Sequence, residues 1–410
     1  MPFGVLQRSK VQIFIRENQM KILVALTYYR PHVSGLTIYV ERLSRAFAKR
    51  GHEVVVLTSQ YHKDLPREEM MDGVKIVRVP VIMRVSKAVI MPTIGFEAWK
   101  WVNWADVLSV HLPQLDAAGI TGRARLLGKP SLLTYHSDLQ LPSSFINNLA
   151  NVGVDVFNVV AAFWADLLCA YTEDFAKHSR FLKNYLPRIQ VVPPPVEIPE
   201  VTDAEAQAWL ASRNLPSKRP IIGLAVRLAA EKGIEHLLNA LPLILEKYPD
   251  AQVLHAGPVE EVIGEDDYRK RLKPLIDQHR ERYHFLGTLD MQQMACFFKS
   301  CDVHVLPSIN NTETFGLVQI ESAMCGTPTV ASALPGVRMP TQMTGMGRTF
   351  PVGDARALAE AVIEILQNPA AYRKPRQPIA EMFSPDTCAM RYEEIFFDLL
   401  RKKGKDAKNL

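Results

Sequence analysis

The stretch 312-TETFGLVQIESAMCGTPTVAS-332 sets Glu313 and Glu321 eight positions apart, around a Phe-Gly pair and ahead of a small-residue turn and a β-branched run. The strand candidate Asp302–Leu306 precedes it, and another, Pro328–Ala331, closes it. Between them the spacing predicts a helix from Phe315 or Gly316 to Cys325, ended by Gly326. A strand, a crossover helix and a second strand make a unit of a parallel sheet. Glu313 lies just before the helix start, where a carboxylate has a bland reading as a partner of the helix dipole. Glu321 lies within the helix, and eight residues at 1.5 Å rise span about 12 Å, less where the chain is still a loop. That is too far for an acid/nucleophile pair of the glycosidase type, unless the loop folds back. It suits two parts of one extended ligand.

Outward from this unit, short β-rich runs alternate with helical stretches along the whole chain. The strand candidates of the first half are Lys21–Thr27, Glu53–Thr58, Val74–Val79, Asp106–His111, Ser131–Tyr135, Leu167–Tyr171 and Ile189–Val192. Those of the second half begin at Pro220–Val226, Ala251–Ala256 and His284–Leu286 and end at Gly347–Phe350. This alternation is the pattern of parallel sheets covered on both faces. A break falls at Pro193-Pro194-Pro195, which cannot continue a helix or donate to a ladder. At 410 residues, two domains are also the natural division. The expected fold class is therefore α/β, two doubly wound domains of similar size. The expected order is an unassigned extension 1–19, a first domain 20–195, a linker 196–219 with a helix near Thr202–Asn214, a second domain 220–383 and a C-terminal segment 384–410.

Composition narrows the class. The chain is 48% hydrophobic and 22% charged, as for a globular protein. Five cysteines, none in a C-x-x-C or His-Cys cluster, argue for free buried thiols and a cytoplasmic protein. The first 20 residues do not read as a signal peptide, and the most apolar window, Phe145–Ala165, carries four asparagines and Asp155, which argues against a spanning helix. Residues 1–192 hold 23 Lys and Arg against 15 Asp and Glu, a balance of +8, whereas 193–410 hold 25 against 28, a balance of −3. The first half is the one suited to an anionic partner.

Candidate site residues follow strands, where doubly wound folds bind ligands. Gly35, in 28-YYRPHVSGLTIYVERL-43, precedes a helix and lets backbone approach a phosphate, or is a simple loop glycine. Arg42, Arg45 and Lys49 share one face of that helix, either a solvated face or a surface for anionic lipid. His136 stands beyond the strand 131-SLLTY-135. Arg227 and Lys232, in 223-GLAVRLAAEKGIEHLLNAL-241, set two cations beside a helix start and suit a diphosphate; the alternative is a salt bridge involving Glu231. There is no G-x-G-x-x-G for a nicotinamide cofactor and no Walker sequence.

These phrases together resemble one family. The R-x-x-x-E-K-G of Arg227–Gly233, the Glu313–Glu321 phrase with 325-CGTPTVAS-332, 51-GHEVVVLTS-59, Thr134-Tyr135-His136, 172-TEDFAKHSRFL-182 and 286-LGTLDMQQMACFFKSCDVHVLPS-308 are similar to the retaining nucleotide-sugar glycosyltransferases of family 4. The branch is that of phosphatidylinositol mannosyltransferases and sucrose-phosphate synthases. The resemblance implies the GT-B fold, two Rossmann-like domains facing across a cleft, with 384–410 a helix crossing back to the first domain. It implies transfer of a hexose from a UDP- or GDP-sugar to a lipid or sugar hydroxyl, without a metal or other cofactor and without nucleic acid as a partner. Arg227 and Lys232 would bind the diphosphate, Glu313 with Thr314, Phe315, Gly316 and Leu317 the sugar and phosphates, and Glu321 the ribose. His136 would approach the reacting carbon, and Gly35 would let its loop close on the phosphates. No side chain is assigned as a covalent nucleophile. Gly35-Leu36 and Pro335-Gly336 stand where many relatives have Gly-Gly, which bears on the fine geometry. A membrane-surface acceptor would place the protein peripherally at the inner membrane face. The other readings are an epimerase or hydrolase of the same fold and a non-catalytic sugar-nucleotide-binding protein.

Overall fold

The computed structural model describes residues 19–85, 88–138, 145–258 and 265–404, so nearly all of the N-terminal extension lies outside the described residues. The chain forms two compact units, Met1–Pro195 with Pro385–Leu410, and Val196–Ser384.

The first unit runs β1 (Lys21–Ala25), α1 (Gly35–Lys49), β2 (Glu53–Gln60), β3 (Glu68–Met71), β4 (Val74–Pro80), β5 (Met83–Val85), β6 (Ala88–Ile90), α2 (Ile94–Trp104), β7 (Val107–Leu112), α3 (Ala117–Leu126), β8 (Ser131–Tyr135), α4 (Phe145–Trp164), β9 (Leu167–Ala170), α5 (Glu173–His178) and β10 (Ile189–Val191). Its eight-stranded sheet has the order β10-β9-β8-β7-β1-β2-β4-β3, with only β3 antiparallel to its neighbour. β7 and β8 are buried along their whole length, so they read as mostly apolar runs whose few polar residues, Ser109, His111, Ser131 and Thr134, are buried as well. The strand order reverses between β1 and β7. β3 and the β5–β6 hairpin were not legible as strands: they are three or four residues long, and β3, with the sequence EEMM, alternates between exposed and half-buried.

Ser34 caps α1, its Oγ accepting from the Thr37 N–H at 3.2 Å. Tyr39, Val40, Leu43 and Phe47 form the buried stripe. The C-terminal helix (Pro385–Lys402) packs on this helix within the same unit. Tyr39 and Tyr392 share a hydroxyl hydrogen bond of 2.8 Å, Tyr392 and Phe396 meet the Phe47 ring at about 6 Å, and Glu393 pairs with Arg50 at 2.5 Å and with His52 at 2.9 Å. The expected cationic strip on α1 is corrected here. Arg42 is buried and donates to the Pro195 carbonyl at 3.3 Å, whereas Lys49 is exposed, so the three cations do not form one solvent-facing row.

The second unit runs α6 (Asp203–Ser212), β11 (Ile221–Ala225), α7 (Ile234–Lys247), β12 (Gln252–Ala256), α8 (Asp266–Gln278), β13 (Tyr283–Gly287), α9 (Met291–Ser300), β14 (Val303–Leu306), α10 (Leu317–Met324), β15 (Thr329–Ser332), α11 (Met339–Thr344), β16 (Gly347–Phe350), α12 (Ala355–Gln367) and α13 (Arg376–Phe383). The last helix of the chain, Pro385–Lys402, is α14. The sheet is wholly parallel, in the order β13-β12-β11-β14-β15-β16, and reverses direction between β11 and β14. Residues 196–219 are part of this unit rather than a free connector. The Val196 N–H donates to the Phe383 carbonyl at 2.7 Å, Arg376 donates to the Ile198 carbonyl at 2.5 Å, and Lys299 reaches Asp203 at 3.1 Å. Thr202 and Glu205 form a capping box on α6, which packs against α9.

Candidate functional site

In a doubly wound sheet, ligands bind beyond the strand carboxyl ends where the order reverses. In the second unit this point lies between β11 and β14, and the candidates flank it: Arg227 and Lys232 follow β11, and Glu313 follows β14. Their segments are held together by glycine. Gly233 has φ 59°, and a Cβ there would run into the Pro307 carbonyl and lie 2.7 Å from Ile309 Cγ2. The Ile309 N–H donates to the Glu231 carbonyl at 3.0 Å. This close approach brings Lys232 Nζ to 2.6 Å from Glu313 Oε2, a pair 81 positions apart with side chains 17% and 18% exposed. Arg227, 40% exposed, pairs with Glu231. The salt bridge weighed for Glu231 thus belongs to Arg227, and Lys232 is engaged by Glu313.

Glu313 itself is fixed by a turn in which Asn310 Oδ1 accepts from Thr312 and the Asn310 carbonyl accepts from the Glu313 N–H at 3.3 Å. Thr314 and Phe315 are buried, and Phe315 packs on Phe383 at 6.0 Å. Gly316 precedes α10 with φ 77°, where a Cβ would meet Leu306 Cδ2 at 2.5 Å. A glycine cannot cap with a side chain, and α10 has neither a side-chain cap nor an acid in its first turn. By contrast, α6 and α9 both carry capping boxes. The start of α10, at Leu317, therefore offers backbone N–H groups and the positive end of a dipole, four residues after the Glu313 that holds Lys232. Glu321 stands one turn further along α10 and is half-buried.

Two supports escaped the reading of the sequence. His255 Nε2 bonds the Val226 carbonyl at 2.8 Å, and Tyr283 bonds His255 Nδ1 at 2.9 Å, so the residue before Arg227 is anchored from β12. Burial pushes the His255 imidazole down to about 4, so it is neutral near pH 7. Gly257, φ 138°, lets the end of β12 pass against the Val226 carbonyl.

In the first unit, Gly35 is the first residue of α1 and a Cβ there would meet nothing within 4 Å. One turn on, the Tyr39 ring packs edge-on against His136 at 4.9 Å, so these two candidates share a neighbourhood. His136 is buried. Its Nε2 lies 2.9 Å from His111 Nδ1, its Nδ1 bonds the Tyr171 hydroxyl, and His111 Nε2 lies 3.1 Å from Ser109 Oγ. Burial lowers the His111 pKa to about 3, and burial and then His111 hold His136 well below its ordinary value. Two neutral imidazoles each carry one N–H, so one tautomer choice orders the whole chain from Tyr171 through His136 and His111 to Ser109. His136 is thus a fixed neutral group, and moving a proton through it would break a buried hydrogen bond. The alternation Ser109-x-His111 in an apolar strand was the signal that could have found this partner. Asp138, two residues on, accepts from Tyr135 at 3.0 Å and Ser179 at 2.7 Å and locks the loop start.

Among the described residues, no group of three or more His, Cys, Asp or Glu could hold a metal ion. All five cysteines are buried and free.

Comparison with known proteins bears on this geometry. The model of Glycosyltransferase Family 4 matches residues 33–199, and that of Glycosyl transferases group 1 matches residues 205–381. A D-inositol 3-phosphate glycosyltransferase of Xylanimonas cellulosilytica is 30% identical over 334 residues, 74% of this chain and 76% of that protein. The chain belongs to this glycosyltransferase family. The phosphatidyl-myo-inositol mannosyltransferase of Mycobacterium leprae is 26% identical to this glycosyltransferase, covering 85% of this chain and 88% of that one. Anabaena HepE in complex with UDP-glucose superposes with a TM-score of 0.73 at 17% identity, covering 93% of this chain and all of that one. The glycosyltransferase has the GT-B fold.

Proposed function

We propose that this glycosyltransferase moves a hexose from a UDP- or GDP-linked donor to a hydroxyl acceptor, with retention of anomeric configuration. The observation that carries the reading is the Lys232–Glu313 pair of 2.6 Å at the β11/β14 reversal, beside the uncapped start of α10. When the bond between the anomeric carbon and the phosphate oxygen breaks, its electron pair leaves with the nucleoside diphosphate. Negative charge grows there, and Arg227 and Lys232 are the groups that stabilise it. In this role the two cations replace a bound metal. The backbone amides from Thr314 to Leu317, leading into α10, hold the phosphates, Glu313 accepts from sugar hydroxyls, and Glu321 accepts from the ribose. The first unit supplies Gly35 to the phosphates and His136, as a neutral group, to the sugar.

Names of relatives support the donor class and a choice of acceptors. The HepE structure contains UDP-glucose, and the two curated proteins described above are named for phosphatidyl-myo-inositol and D-inositol 3-phosphate. The acceptor proposed here is correspondingly a polyol hydroxyl, free or on a lipid.

The test is release of nucleoside diphosphate from UDP-glucose and GDP-mannose, with and without inositol phosphate or phosphatidylinositol, followed by assignment of the product's anomeric configuration. Release that needs an acceptor, an α-linked product and a Lys232→Ala loss of about 100- to 1,000-fold are expected. Donor turnover that ignores the acceptor, an inverted product, or Lys232→Ala turning over at the wild-type rate would each overturn the reading.

A further inference from the structure

The last stretch of helix α4, residues 156–164, is built inside out. Over 156–164, Val156, Phe157, Val159, Val160, Phe163 and Trp164 all face solvent, Phe163 at 70% exposure. The one polar residue of that stretch, Asn158, is 3% exposed. A surface helix in water shows the reverse. Against the sheet, this stretch contributes only Ala161 and Ala162 to the apolar cluster.

The apolar surface extends across the layer. Helices α2, α3 and α4 pack in sequence on one face of the sheet and share its cluster. A Cβ on Gly122 of α3 would touch the Trp164 ring at 3.7 Å, and one on Gly95 of α2 would meet Arg123 at 3.1 Å, so the three outer faces adjoin. Leu126 on α3 is 78% exposed, and Phe96 and Trp99 on α2 are 84% and 51% exposed. Exposed apolar surface of this kind on a soluble domain marks an interaction face.

Charge decides the occupant. Arg123 and Arg125 stand on α3 between the apolar residues of α2 and α4, and Lys100 follows Trp99. Arg125 keeps 60% of its side chain exposed, 3.8 Å from an Asp166 that Lys403 already holds at 2.8 Å. Among the described side chains of these helices the only carboxylate is Glu97, 24% exposed and 3.9 Å from Arg67. A second copy docked through a two-fold axis would press each arginine pair toward its own image in an apolar interface, which is unfavourable. Anionic headgroups neutralise the same arginines while the aromatic and branched side chains enter the acyl boundary, and tryptophan suits that boundary. No helix of the described residues is long and apolar enough to cross a membrane, so such binding lies in the plane of the surface.

We propose that the α2–α3–α4 face of the first unit is a docking surface for an anionic phospholipid bilayer. It is a different surface from the basic residues of α1, and it stands independently of the donor site.

The test is co-sedimentation of the full chain with vesicles of phosphatidylcholine containing about 30% phosphatidylglycerol, beside vesicles of phosphatidylcholine alone. Wild type is expected to partition to the anionic vesicles. Phe163→Asp should lower that partitioning about tenfold or more, with unchanged melting and unchanged release of nucleoside diphosphate with a soluble acceptor. Arg125→Glu should weaken binding to anionic vesicles and leave neutral ones unaffected. Wild type remaining in the supernatant with both vesicles, or Phe163→Asp sedimenting like wild type, overturns the proposal. So does a homodimer in sedimentation velocity that Phe163→Asp dissolves while vesicles bind nothing: the occupant is then a second copy.

Discussion

Lys232 and Glu313 in the second unit are charged partners with side chains 17% and 18% exposed, while His136 in the first is neutral, buried and bonded at both ring nitrogens. The glycines differ in the same way. Gly233 and Gly316 have positive φ and no room for a Cβ, whereas Gly35 has open space. A partly exposed ion pair can exchange one partner for an anion at modest cost, because water still screens both charges. A buried neutral network cannot, since each broken hydrogen bond strands a donor or acceptor. The second unit is therefore arranged to respond to a charged ligand, and the first to keep a shape.

The largest effect of a single substitution on this contrast comes from the glycines. Gly233→Ala is expected to cost about 3 kcal/mol, from left-handed backbone strain and the clash with the Pro307 carbonyl. Gly35→Ala, in helical backbone with free space, should leave melting unchanged or slightly raised, while lowering turnover if phosphates meet that loop. Equal melting of the two variants would remove the distinction, and full activity of Gly35→Ala would take Gly35 out of the proposed phosphate contact.

Acid should affect both units. His111 and His304 are lowered to about 3 and His255 to about 4, all by burial, against an ordinary value of 6.5. A depressed folded pKa gives stability that is complete above about 6.5 and is lost as pH falls toward 4, because the unfolded chain takes the proton first. At pH 5 each such histidine should cost about 2 kcal/mol relative to pH 7. Thermal melts between pH 7 and 5 check this, and a flat profile would mean that these imidazoles are not held neutral.

The smallest expected loss of stability is that of Tyr392→Phe. Its hydroxyl bonds Tyr39 and Thr134 at 2.8 Å each, inside the first unit. Its loss should cost about 1 kcal/mol in urea unfolding and leave donor affinity unchanged. A loss of donor affinity without loss of stability would show the first unit's network to be part of donor binding.

The mostly apolar runs of β7, β8 and β11 made the parallel sheets legible, because a strand buried on both faces carries few polar positions and does not alternate. The edge elements β3, β5 and β6 lack that signal. The helix near Thr202 was legible, but its membership of the second unit depends on contacts of Val196, Asp203 and Ile198 with residues more than 90 positions away. In the site, the positions of Arg227, Lys232 and Glu313 after strands could be read directly. The partnership of Lys232 with Glu313 could not, since it depends on Gly233 letting two distant loops touch. On α1, helical spacing showed three cations on one face but not the carbonyl of Pro195 waiting for Arg42.

The most direct test of the central claim is calorimetric binding of UDP against UMP, and of GDP against GMP, to wild type and Lys232→Ala. If the Lys232 cation and the α10 start form a diphosphate site, wild type binds one diphosphate at least about tenfold more tightly than its monophosphate, and Lys232→Ala erases most of that preference. A preference that survives unchanged in Lys232→Ala would contradict the account.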